Sequence, residues 1–124
     1  MRGGKGMLLI NVQELLHATA LCGEDYLQNY DVKSVYASDM MSDVLAQVKG
    51  HPLLLTGLCN PQVIRTAEMV DISCVVFVRG KSPDEHILEL AKDGLLCVLR
   101  TDLTMFEACG ILYQAGLCGG DEIE

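Results

Sequence analysis

Two basic residues flank a glycine at Arg79-Gly80-Lys81, in a chain where 17 acidic residues face only 9 basic ones and the formal net charge is −8. Guanidinium and ammonium groups set beside helix N-termini make a pocket for an anion or a phosphate. An open parallel sheet presents its ligand-binding residues beyond the carboxyl ends of its strands. In this chain those ends carry Thr56, Asn60, Arg79, Lys81, Arg100 and Thr101, with Ser38 and Asp39 at the neighbouring turn. Ser38, Asp39, Thr56, Asn60, Arg79, Lys81 and Thr101 are therefore the candidate ligand-binding set, and the expected ligand is an anionic small molecule. The competing reading of Arg79 and Lys81 is a loop kept soluble by two charges. Asp39 and Asp43 lie four positions apart on one helix face. Paired carboxylates there could serve acid–base chemistry, but a solvated face or a partner for the helix dipole is the simpler reading.

The six cysteines, at 22, 59, 74, 97, 109 and 118, include no C-x-x-C pair. That absence removes the usual zinc-ribbon and ferredoxin spacings. Cys74 and Cys97 lie within apolar strands and Cys109 on an apolar helix face, so these three read as small core hydrophobes. Cys59 sits at a strand-to-helix turn, where a helix N-terminus lowers a thiol pKa. It is a weak metal candidate, with no basic or imidazole neighbour in sequence. His17, His51 and His86 form no H-x-x-x-H pair. Neither a P-loop nor G-x-G-x-x-G occurs, and G-x-S-x-G is absent as well. No nucleophile–base pair can be named, so no catalytic residue and no cofactor is implied.

The elements that position these residues alternate strand with helix. Asn11-Val12-Gln13-Glu14 has the form of a capping box, and apolar residues continue at helical spacing to Ala20 before Gly23. A short strand over 33–37 precedes a helix capped by Ser38 or Asp39, with Met40, Met41, Val44, Leu45 and Val48 as its stripe. Pro52 to Leu58 and Ser73 to Val78 read as strands buried on both faces. Asn60-Pro61 opens the helix between them. Ser82-Pro83-Asp84-Glu85 opens another helix, closed by Gly94 before a strand over 95–99. Thr101 or Asp102 caps the last helix, with Phe106, Cys109, Gly110 and Tyr113 along one side. This order implies right-handed crossovers and a three-layer α/β/α fold around a small, mainly parallel sheet of about four strands. One domain over 11–115 is expected, with a flexible tail and lead-in over 1–10 and an acidic, glycine-rich tail over 116–124.

Composition narrows the class further. Half of the 124 residues are hydrophobic, enough for a single core. The acidic balance argues against a nucleic-acid partner. Met7-Leu8-Leu9-Ile10 is too short for a secretory core, and no run reaches the length of a membrane span. Together with the six cysteines, this makes the cytoplasm the expected location.

At Ser38-Asp39-Met40-Met41-Ser42-Asp43-Val44-Leu45-Ala46 the chain resembles the DRTGG domain family. The likeness continues through Val12-Gln13-Glu14-Leu15, Asn60, Gly80, Pro83-Asp84-Glu85, Thr101 and the stretch Phe106 to Tyr113. The resemblance implies an α/β/α domain similar to the N-terminal domain of HPr kinase/phosphorylase. The family occurs as an accessory, regulatory domain in some inorganic pyrophosphatases and phosphotransacetylases. It also occurs alone in anaerobic bacteria, often near iron-only hydrogenase genes. It has no established catalytic residues to carry over. The eponymous stretch falls on Asn29 to Val35, where the acid, the arginine and both glycines are replaced. Val35 stands where a glycine would be free to take positive φ, which predicts ordinary extended backbone there.

Residues and resemblance together favour a non-catalytic regulatory or binding module. A homodimer is expected, with Met40, Met41, Ser42 and Asp43 as the contact. One alternative is a sensor of a phosphorylated small molecule or nucleotide. Another is a redox or Fe–S accessory linked to hydrogenase, acting on a partner protein in anaerobic metabolism.

Overall fold

The computed structural model describes residues 6–119. It has eight strands and five α-helices, alternating from β4 onward: β1 (Met7–Leu8), α1 (Leu9–Leu16), β2 (Thr19–Cys22), β3 (Asp31–Val32), β4 (Ser34–Ala37), α2 (Met41–Gln47), β5 (Leu53–Thr56), α3 (Pro61–Met69), β6 (Cys74–Phe77), α4 (Glu85–Asp93), β7 (Cys97–Arg100), α5 (Met105–Gln114) and β8 (Cys118–Gly119). The main sheet has six strands in the order β2-β7-β6-β5-β4-β8. All neighbours run parallel except β2, which is antiparallel to β7. β1 and β3 form a separate antiparallel ribbon.

The period of two along each strand divides the core. Leu53, Leu55, Cys74, Val76, Cys97 and Leu99 face α1 and α5. Leu54, Val75, Phe77 and Val98 face the other way, against α2, α3 and α4. Handedness explains which helix lies where. From β4 to β7 the chain steps along the sheet in one direction, so right-handed crossovers put α2, α3 and α4 on one face. The return from β7 to β8 runs the opposite way and puts α5 on the other. The three-layer α/β/α class is thus as expected, and the central strands β4 to β7 are the expected four.

The two extra strands are corrections at the sheet edges. Thr19 to Cys22 does not continue the first helix: His17 takes φ 52°, α1 ends, and β2 pairs with β7. A short apolar run fits either element, and the open edge of β7 decides it. Within 116–124, Cys118 and Gly119 pair with Ser34 and Val35 of β4; residues 120–124 lie outside the described residues. The lead-in is also part of the fold, since α1 begins at Leu9, which is fully buried, rather than at an Asn11 cap. Residues 1–5 of the expected tail lie outside the described residues. Val35 is extended within β4, as its side chain predicts.

Candidate functional site

Where consecutive strands send their chains to opposite faces of a parallel sheet, a crevice opens at their carboxyl ends. Here that point lies between β6, which leads to α4, and β7, which leads to α5. The sequence places Arg79-Gly80 on one side of it and Arg100-Thr101-Asp102 on the other. The backbone itself closes the crevice: the Arg79 N–H donates to the Leu103 carbonyl at 2.7 Å and the Gly80 N–H to the Thr101 carbonyl at 2.8 Å. Arg100 adds Nη2 bonds of 3.2 Å to the Gly80 carbonyl and to Asp102 Oδ1.

These contacts hold Arg79 and Gly80 in consecutive left-handed conformations, φ 61° and 68°. For an arginine that conformation costs about 1–2 kcal/mol, because Cβ crowds the following carbonyl. It turns the Arg79 side chain back over β5, where the guanidinium rests on Gly57. From the far side Asp39 fastens the same turn. Its Oδ1 accepts the Gly57 N–H at 2.6 Å and the Thr56 hydroxyl at 3.2 Å, and the Thr56 oxygen accepts the Leu58 N–H at 3.1 Å. Among the described residues neither Arg79 nor Lys81 is in an ion pair. Lys81 comes near enough to Cys59 to favour its thiolate, while Asp84 opposes that effect. Burial outweighs both and pushes the Cys59 thiol up. Asn60 stands at the N-cap of α3 without capping it, and its buried Oδ1 accepts no hydrogen bond among the described residues.

The predicted set therefore divides. Asn60, Arg79 and Lys81 lie around the ends of β5 and β6 together with Cys59 and the unpredicted Gly57, with Asp39 bonded to the same turn. Thr56 and Thr101 are buried, and their hydroxyls are committed to the fold. Thr101 donates to the Leu16 carbonyl at 2.6 Å and accepts the Leu103 N–H; it does not cap α5. That cap is Thr104, in a reciprocal box with Glu107. Ser38 does not cap α2 either: its Oγ accepts the N–H of Met40, the residue at that N-cap. Met40 is exposed but Met41 is buried in the core, so the two are not an exposed pair; Ser42 and Asp43 are exposed. Gly57 lies outside the predicted set because an isolated glycine carries no signal in sequence of what crosses over it.

Of the remaining chemistry-bearing residues, Cys22, Cys74 and Cys97 are neighbours around β6 and β7. All three are buried, and burial raises the Cys22 and Cys74 thiols. No group of three or more His, Cys, Asp or Glu among the described residues could hold a metal ion. His17 ends α1, and His51 contacts Asp71. No described helix is long and apolar enough to cross a membrane.

A parallel sheet covered by helices on both faces, with an arginine at its carboxyl edge that makes no ion pair among the described residues, defines a small three-layer α/β domain built to present loops on one rim. The chain belongs to the DRTGG domain family, whose model matches residues 11–115. Among solved structures it is similar to the CBS and DRTGG domains of the regulatory region of Clostridium perfringens pyrophosphatase, complexed with the activator diadenosine tetraphosphate. That likeness has a TM-score of 0.70 at 20% identity and covers 89% of this chain and 47% of the other. This chain thus spans about half the length of that neighbour. No curated protein matches it.

Proposed function

We propose that this chain is a non-catalytic regulatory domain that binds a phosphorylated small molecule, of the nucleotide class, at the carboxyl rim of β5 and β6. One observation carries the reading: Arg79 is held in a costly left-handed conformation with its guanidinium over Gly57 and no carboxylate partner among the described residues. A strained residue that the surrounding bonds over-determine is characteristic of binding sites. Lys81 adds a second cation close to Cys59 on the same rim. The DRTGG-bearing neighbour, described as a regulatory region with a nucleotide activator, supports the same class of ligand.

A thermal-shift series with diadenosine tetraphosphate, ATP, AMP and inorganic phosphate tests the reading. A ligand at a hundred times its Kd stabilises the fold by about 2.7 kcal/mol. The expected result is a rise in Tm with at least one nucleotide, lost in Arg79→Ala. No rise with any of them at millimolar concentration overturns it.

A further inference from the structure

Arg100 ends β7 and is the register partner of Phe77 on β6, two positions before Arg79. Gly80 joins the two arginines. Arg79 precedes it, and a Cβ on it would stand 3.5 Å from Arg100 Nη2 and 3.0 Å from Asp102 Oδ1. Nη2 of Arg100 donates to the Gly80 carbonyl and to Asp102 Oδ1, both at 3.2 Å. Nε lies on the same edge of the guanidinium and has no acceptor among the described residues. Two N–H groups side by side on one edge match two oxygens of a phosphate or a carboxylate. Asp102 fills that fork by half, with one oxygen on one nitrogen. We propose, on the footing of the phosphate site at this rim, that Asp102 stands in for the ligand: a phosphate group displaces it and takes Arg100 as a further cationic contact beside Arg79 and Lys81.

The other carboxylates of the rim are committed to backbone. Asp84 accepts the Ile87 N–H and Asp39 the Gly57 N–H, whereas Asp102 is bonded only by Arg100 among the described residues. Its side chain is 84% exposed and that of Arg100 31%. An ion pair this wet is weak and exchanges readily. A phosphate monoester brings about −1.5 to −2 charges at pH 7 and three acceptor oxygens, so the exchange adds charge and gives Nε the bond it lacks. A carboxylate ligand trades like for like and gains no charge. Asp102 thereby selects for a terminal phosphate.

Calorimetric titration with ATP and with inorganic phosphate tests this in the wild type, Asp102→Asn, Arg100→Gln and the double variant. Asp102→Asn is expected to tighten binding about two- to fivefold, the worth of an exposed ion pair, with the unliganded Tm unchanged. Arg100→Gln weakens binding about tenfold or more, as loss of a charged hydrogen bond does. In that background Asp102→Asn has no further effect. Equal tightening in both backgrounds marks a general effect of charge and overturns the proposal. So does an Asp102→Asn variant that binds as the wild type does. Failure of all four proteins to bind either probe overturns instead the phosphate site itself, and this proposal with it.

Discussion

The guanidinium of Arg79 lies across Gly57 so closely that a Cβ at residue 57 would stand 2.6 Å from Arg79 Nη2. The atom in the way is the far end of a flexible side chain, which can swing aside. Gly57→Ala should therefore change unfolding stability by less than about 1 kcal/mol, aided by the lower entropy of the unfolded chain. It should also displace the guanidinium and abolish the nucleotide-induced rise in Tm. Urea unfolding and thermal shift on the same variant separate the two effects.

Arg79→Gly carries the complementary expectation. Glycine adopts φ 61° without a steric cost, which recovers about 1–2 kcal/mol, while its greater unfolded-state freedom returns about 0.5–1 kcal/mol. The net is a variant more stable by roughly 0.5–1 kcal/mol that no longer responds to ligand. A loss of stability would mean that the arginine side chain is a structural brace.

Asp39 is needed for the fold of the turn itself. Asp39→Ala leaves the buried Gly57 N–H without its acceptor, at a cost of about 1–3 kcal/mol. Asp39→Asn keeps an oxygen in place and should recover most of that. Denaturant midpoints of the two variants decide the matter; equal losses would show that charge, rather than the acceptor, holds the turn.

Buried thiols set the alkaline limit. Cys74 is buried and desolvated, so its folded pKa lies well above the ordinary 9.0. Below pH 9 both states keep the proton, and the full stability is present. Above it the unfolded chain ionises while the native thiol does not, so stability falls until the folded pKa is reached. The slope is about 1.4 kcal/mol per pH unit for each such thiol. Unfolding free energies measured from pH 8 to 10.5 should fall less steeply in Cys74→Ala than in the wild type.

Much of this fold can be read from period and punctuation. The runs Leu53–Thr56 and Cys74–Phe77 are apolar on both faces because helices cover both, and Asn60-Pro61 and Asp84 mark helix starts. The edges were illegible for a physical reason: β2 and β8 are four and two residues long, and only pairing with a distant strand makes them strands. The site was half legible. The basic residues stood out against an acidic chain, but that Arg79 turns left-handed and crosses Gly57 depends on bonds to Thr101 and Leu103, which spacing does not encode. Thr56 and Thr101 fell at the correct rim, yet polar residues there serve the fold as readily as a ligand.

Both margins of the sheet are closed by partners far apart along the chain. Thr101 reaches the Leu16 carbonyl and Cys118 reaches the Lys33 carbonyl, each across 85 positions. Such closures are slow, because the chain entropy of a long loop is lost before its contacts form. On the ribosome β4, β5 and β6 can emerge in order, but β2 must wait for β7, and β4 must wait for β8. Folding of this domain is therefore expected to finish only after nearly the whole of it has left the exit tunnel, with β4 exposed as an open edge until then.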